Sequence, residues 1–439
     1  MTRMNWESLL TTAREGHDAL GPADMGRSHF HKDHDRIVFS GAFRKLGGKT
    51  QVHPLAKYDH IHNRLIHSME VGSVGRSLGI RVAEELKQEL PIGIQADDLG
   101  TIIQSACLAH DIGNPPFGHA GEYAIQDWFK RDANKHYLAG LTELERLDLQ
   151  SFEGNAQGFR TLSQIEYHFN NGGLRLTFPT LGASLKYPWT ADLAGAKGKF
   201  SCFKSELRNL EELANKLGLK RKADGRFARH PLSYLMEAAD DICYALIDLE
   251  DAVELSIIEF SEVKDIFLSI QGTQDLDFDE EGVSSARQLS ALRSKTIGCI
   301  IDAVVEAFMQ NKETILNGEL EGDLIAHCAP AVRDGIYKAK ALAVNKVFKD
   351  AQKTETEIGA YTVLSTLLET FIEAGHEYYQ RPDKNKLSYR TSRVFDLMGG
   401  EAPTAKMSQY QVYQRMVDNI AGMTDNYALY LAKQFSAPS

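Results

Sequence analysis

Cysteine is scarce and scattered in this 439-residue chain: Cys107, Cys202, Cys243, Cys299 and Cys328, with no C-x-x-C pair among them. An odd, widely spaced set neither closes a disulfide framework nor supplies a thiolate zinc site. Missing too is any run approaching the roughly 20 apolar residues of a membrane span. The opening MTRMNWESLL carries charge where a secretory leader keeps its apolar stretch, so a cytoplasmic protein without membrane contact is expected. Basic charge is not in excess, because 60 acidic against 49 basic side chains leave a formal net charge of -11 with both signs interspersed. That balance lacks the footprint of a duplex-DNA binder, although a single cleft can still be positive. The absence of a fixed-period repeat or low-complexity tract argues against a solenoid and a disordered partner arm.

Apolar residues recur at helical spacing over 65–90, 101–111, 231–253, 286–309, 331–350 and 359–380, which predicts an all-α protein. The one strand candidate is GLRLTFP at 173–179, following an Asn-Gly-Gly turn signal, so a small β-hairpin is expected beside the helices. Connections are expected at 21–34, 182–200, 220–230 and 271–284. The last of these, an acidic loop, places a seam between an N-terminal lobe, 1–265, and a C-terminal helical lobe, 266–439, that completes the pocket.

Fifteen histidines, concentrated in the first quarter, are the main chemical signal. In RLIHSMEVGSVGRSL, His67 shares the polar face of a helix with Arg64 and Ser68; alone, it reads as an ordinary helix residue. The segment IIQSACLAHDIGNPPFGHAGE then ends an apolar helix on adjacent His110 and Asp111 before Gly113 and the Pro115-Pro116 pair break it. Neighbours on a helix diverge by about 100 degrees, so both can reach one ion only if it sits near the helix surface between them. Imidazole nitrogen with carboxylate oxygen suits a divalent cation, Mg, Mn or another transition metal, without choosing one. The pairs His17-Asp18 and His34-Asp35 lack an apolar helix behind them and serve as decoys.

In YLMEAADDICYALIDLEDA, Asp240 and Asp241 interrupt a helix that is otherwise largely apolar, a costly place for carboxylates without a cation. Asp240, Tyr244 and Asp248 follow at i, i+4 and i+8, one stripe drifting about 80 degrees. His119 and Glu122, at i and i+3, can share a proton.

These residues resemble the HD-domain superfamily and, within it, the deoxyguanosine triphosphate triphosphohydrolase-like dNTPases. RLIHSMEVG, HDIGNPPFGHAGE and YLMEAADDICY carry the likeness, with FEGNAQGFR at 152–160 and GMTDNYA at 422–428 as further elements, so it spans about residues 33–430. The resemblance implies an HD helical core and one divalent cation held by His67, His110, Asp111 and Asp240, with Asp240 preferred to Asp241. It implies a triphosphate contact at Arg64, a nucleoside contact at Gln51, sugar packing by Tyr244, a ribose contact at Asp248 and a catalytic pair in His119 and Glu122. Tyr378, Tyr379 and Arg390 are the candidate base contacts from the C-terminal lobe. The implied reaction takes a dNTP to deoxynucleoside and inorganic tripolyphosphate. A homo-oligomer, with a hexamer as one form, and activation by a dNTP or single-stranded DNA are compatible with it. The alternatives are another HD-type nucleotide phosphohydrolase, or a regulator without turnover whose basic run, Lys220 to Arg229, contacts nucleic-acid phosphates.

Overall fold

The computed structural model describes residues 3–16, 24–51, 63–166, 173–273, 284–347 and 351–436. Each periodic segment contains a helix. The site is built on α1 (His29–Val38), α2 (Arg64–Glu85), α3 (Ala96–Ala109), α4 (His119–Lys130), α5 (Gly154–Arg160), α6 (Phe178–Ser184), α7 (Pro231–Glu254), α8 (Phe260–Gln271), α9 (Ser285–Gln310), α10 (Pro330–Leu342), α11 (Ala351–Gln380), α12 (Gln409–Ala421) and α13 (Asp425–Ser436).

The helices α2 and α3 pack closely, and glycine makes it so. Gly72, Gly75 and Gly79 fall at i, i+3 and i+7 on one face of α2. A Cβ added at Gly79 would lie 2.8 Å from both Gly100 Cα and Leu99 O, and one at Gly75 would lie 2.5 Å from Cys107 Sγ. Backbones that approach this closely place the start of α2 beside the end of α3, and so His67 beside His110. The Asn63 side chain accepts the Ile66 N–H at 3.0 Å and sets where α2 begins. Crossing both, α7 starts on Pro231, whose missing N–H costs nothing at a first helical position. It is buried along most of its length.

Two apolar cores form. One gathers side chains from Met4 to Val347, including α2, α3, α7, α9 and α10; the other gathers α4, α11, α12 and α13 with Phe200 and Phe203. Each core draws on both sides of residue 265, so the division at 265 is not the division that the cores make. The reason is that α11, late in the chain, packs on α4, an early helix.

Three expectations are corrected. The hairpin at 173–179 does not form: the segment makes a single antiparallel bridge, Thr177 with Arg14, before α6 begins at Phe178. Arg175 has φ 50, incompatible with a strand, and the Asp33 carboxylate takes the Thr177 N–H at 2.8 Å, a partner the local sequence does not announce. His34-Asp35 stands on α1, not in a polar connection, because Ser28 caps the helix from inside the stretch 21–34. The helix expected over 331–350 ends at Leu342 and continues as a π-helical turn, Ala343–Val347. His17-Asp18 and residues 274–283 of the acidic loop lie outside the described residues.

Candidate metal centre

Three donor-bearing side chains converge where α2, α3 and α7 meet. His67, His110 and Asp240 each offer a ligand atom, all within 4.8 Å of one another. Asp240 Oδ1 lies 3.2 Å from His67 Nε2 and 3.4 Å from His110 Nε2, with the rings edge to face at 5.4 Å between centroids. His110 Nδ1 sits 2.6 Å from the Cys107 carbonyl, which can only accept. The proton therefore resides on Nδ1, and Nε2 presents its lone pair to the cluster, the arrangement found at ligating histidines.

Asp111 borders this trio. Its Oδ2 is 3.5 Å from His110 Nε2 but only 2.5 Å from Arg64 Nη1, and the Asn114 amide donates to Oδ1. Asp241 points elsewhere and pairs with Lys340 at 2.7 Å, so Asp240 is the carboxylate turned to the histidines.

Electrostatics favour the ligand forms of the carboxylates. Burial alone would raise Asp240, but the Lys186 ammonium at 2.6 Å and His110 hold it well below the usual carboxylate range. Burial opposes ionisation of Asp111 too, yet Arg64 and the two histidines keep it below its ordinary value. His110, lowered by burial, is raised more strongly by Asp111 and Asp240. Two cations, Lys186 and Arg64, and two histidines thus face two carboxylates; a divalent cation fits this donor set by chemistry and by the closeness of the ligand atoms.

The cluster opens into a cavity of about 730 Å³, lined by all the sequence-derived metal, catalytic, triphosphate and nucleoside candidates except Asp248 and the base contacts of the C-terminal lobe. His119 and Glu122 face it as the first turn of α4, with His119 Nδ1 at 2.7 Å from Glu122 Oε2. Glu122 is buried and its other oxygen accepts the Gly154 N–H at 2.7 Å, at the start of α5. Burial works against its charge, but the bond from His119, His119 itself and Lys199 keep the carboxyl lowered. Glu153, from FEGNAQGFR, caps α5 and takes Lys199 at 2.6 Å.

Gln51 lines the cavity at the edge of a described stretch, its Oε1 buried and without a hydrogen-bond partner among the described residues. Arg64 Nε is in the same condition. Both are polar atoms that a ligand can satisfy. Tyr244 lines the cavity; its hydroxyl is raised by burial and by Asp248 and Asp240. Asp248 is 3% exposed and lies one turn further along α7, where the helix enters the core.

The base contacts expected from the C-terminal lobe lie elsewhere. Tyr378 is buried against Phe395, Arg390 pairs with Glu373 at 3.0 Å, and Tyr379 is on the surface. That lobe reaches the cavity instead through Lys353 and Glu357, at the other end of α11. With a rise of 1.5 Å per residue, Tyr378 is about 37 Å away from Lys353 along the axis.

Reading by motif missed the lysines Lys186, Lys199, Lys340 and Lys353, all in the cavity wall. Lys186, in ASLKYPW, is one charge in an apolar stretch; that was the available signal. The basic run at 220–229 is occupied within the fold: Arg221 stacks on Phe227, Arg226 on Trp189, and Arg229 on Tyr234 while bonding Glu237 at 2.7 Å. Among the described residues no helix is long and apolar enough to cross a membrane.

Comparison with known proteins matches the HD domain family to residues 64–191, which include His67, His110, Asp111, His119 and Glu122. The chain is 49% identical over 443 residues to a deoxyguanosinetriphosphate triphosphohydrolase-like protein of Pseudomonas aeruginosa (strain LESB58), covering 99% of each. It is 36% identical to a like-named protein of Synechocystis, over 98% of this chain and 99% of that one. To the deoxyguanosinetriphosphate triphosphohydrolase of Yersinia enterocolitica it is 30% identical, over 91% of this chain and 92% of the other.

Proposed function

Because this chain belongs to the deoxyguanosinetriphosphate triphosphohydrolase-like family of HD-domain proteins, we propose that it hydrolyses deoxynucleoside triphosphates to deoxynucleoside and inorganic tripolyphosphate. The observation that carries this reading is the convergence of His67, His110 and Asp240 at the edge of a cavity that also presents Arg64, Lys186 and the His119–Glu122 pair.

In the reaction, the water oxygen bonds to the α-phosphorus, the bond from that phosphorus to the 5′-oxygen breaks, and a proton is delivered to the departing oxygen. His67, His110 and Asp240, with Asp111 beside them, would hold a divalent cation, which would supply Lewis-acid polarisation at the phosphoryl group. Arg64 and Lys186 offset the charge of the triphosphate; the Arg64 guanidinium presents a planar fork suited to phosphate oxygens. Each is held by a carboxylate, Arg64 by Asp111 and Lys186 by Asp240, so a substrate phosphate meets donors already fixed in place.

His119 carries the proton. Glu122 accepts from Nδ1 and orients the ring, which leaves Nε2 as the atom that takes a proton from water or returns one to the 5′-oxygen. Glu122 is itself fixed by Gly154 N–H, so the pair is held from the backbone of α5. Tyr244 packs against the sugar, where closeness disfavours an added 2′-hydroxyl, and Gln51 meets the nucleoside with its unused carbonyl. Five side-chain cations, Arg64, Lys186, Lys199, Lys340 and Lys353, stand in the cavity wall beside six carboxylates, Asp111, Glu122, Glu153, Asp240, Asp241 and Glu357, so an anionic substrate meets individual paired cations rather than a net positive lining.

The test is product analysis. Metal-free protein is given each dNTP and its matching rNTP, then Mg, Mn or Co separately, and the products are separated by chromatography. Free deoxynucleoside with tripolyphosphate supports the reading; orthophosphate or a nucleoside monophosphate assigns a different HD-type hydrolysis, and binding without turnover under every metal rejects an enzyme.

A further inference from the structure

The segment GMTDNYA, 422–428, has so far no part in the site, yet its Asp425 reaches two of the cavity walls. Asp425 opens α13 and is 2% exposed. Its Oδ2 accepts the Thr50 N–H at 2.9 Å and the Thr50 hydroxyl at 2.5 Å; Oδ1 accepts the Phe117 N–H at 2.9 Å. One carboxylate thus joins the Thr50–Gln51 wall to the turn that launches α4 and His119.

Both walls need an outside hold. Phe117 has φ 64 and Gly118 φ 57, and a side-chain-bearing residue at that φ is disfavoured by its own sterics. The Thr50–Gln51 stretch meets α2 through one bridge, Thr50 with Asn63. Around Asp425 the fit is tight. The buried Lys49 ammonium donates to Asn114 O at 2.5 Å and Ala421 O at 2.8 Å, and a Cβ at Gly48 would lie 2.7 Å from Thr424 Cγ2. Residues 421–425 therefore grip both 48–50 and 114–117.

We propose that Asp425 is a positioning residue, which sets Gln51 for the nucleoside and His119 for proton transfer and so couples the C-terminal helix to the site. The inference rests on the hydrolase reading above. All three groups that meet the carboxylate are donors, so the position calls for acceptors alone. Asparagine presents an NH₂ to one of those donors and must release a wall; Thr50→Val removes only the hydroxyl contact.

The full chain, Asp425→Asn and Thr50→Val are compared by steady-state dNTP kinetics, titration with Mn²⁺ alone, thermal melting and amide hydrogen exchange. Thr50→Val is expected to raise KM by about threefold to tenfold with kcat within about twofold, the signature of lost binding. Asp425→Asn is expected to raise KM and also to lower kcat by about tenfold or more, with faster exchange at 117–119 and Mn²⁺ affinity within about threefold of the unaltered chain. If Asp425→Asn does not fold, the KM-only effect of Thr50→Val decides the proposal. Kinetic constants unchanged in the folded variants overturn it. So does loss of Mn²⁺ affinity and cooperative melting in step with activity, which marks a general structural role. An unaltered chain that turns over no dNTP removes the hydrolase reading itself, and this inference with it.

Discussion

His67 and Asp240 stand 173 positions apart in the chain, yet Nε2 of one lies 3.2 Å from Oδ1 of the other. The same Asp240 oxygen faces His110 Nε2, while its second oxygen takes Lys186. Asp240 thus faces the histidine cluster and anchors a wall cation at once.

Asp240→Ala should abolish cation binding and turnover together, since it removes one of three converging ligand atoms and leaves Lys186 without its carboxylate. Elemental analysis after metal loading checks this. Full occupancy in a folded Asp240→Ala protein means that the ligand set is wrong.

His119→Ala should lower kcat by about 100-fold to 10,000-fold, the usual range for loss of a positioned general acid or base, with little change in cation affinity. Glu122→Gln should give a smaller loss, because the ring stays but its orienting acceptor weakens. Turnover at saturating dNTP that matches the unaltered chain would eliminate the proton-transfer role.

Gly79→Ala should destabilise the protein by about 1–3 kcal/mol, because the new Cβ meets backbone atoms of Leu99 and Gly100 that cannot swing aside. Spreading α2 from α3 also parts His67 from His110, so cation affinity should fall in the same variant. Gly298→Ala on α9 is the control: nothing lies within 4 Å of its Cβ, and replacing a helical glycine should stabilise by up to about 1 kcal/mol. Denaturant melts of both variants give the comparison, and equal effects would disprove the close-packing argument.

Acid should destabilise the chain through His230, the cap of α7. Its Nε2 donates to Leu9 O at 3.0 Å and its Nδ1 accepts the Leu232 N–H at 3.2 Å, so protonation of Nδ1 sets two donors against each other. Burial lowers this imidazole from 6.5 to about 4. The folded state then binds fewer protons than the unfolded one between these values, so the contribution is present above about pH 6.5 and is lost as pH falls through about 4. The loss amounts to about 3 kcal/mol at most. His230→Asn keeps a capping side chain and should flatten that part of the pH–stability curve; an unchanged acid slope would rule out His230 as its source.

The helices were legible because their signal is local: a period of apolar residues, Pro231 at the start of α7, the Pro115-Pro116 break after α3. The convergence of candidate ligands was foreshadowed for a related reason, since carboxylates in an apolar run, as at Asp240, announce a cost that a partner must offset. Lys199, Lys340 and Lys353 gave no such sign. A lysine in a connection or on a helix reads as solvated until the fold brings it to a wall. The hairpin failed because the strand pattern at 173–179 was outvoted by a distant acceptor, Asp33, and a helix start at Phe178. Asp248 was read from a stripe that is real on α7, but the helix passes from cavity to core between Tyr244 and Asp248.

By itself, the amino-acid order determined the helical class, the places of the main helices and the candidate ligands, all properties of a chain and its near neighbours. Tertiary structure alone decided that Arg64 binds Asp111, that Lys186 binds Asp240, that α11 serves the cavity from its first turns, and that Asp425 holds two walls at once. These depend on where separate segments come to rest against one another, and that is set by packing summed over the whole chain rather than by any stretch of it.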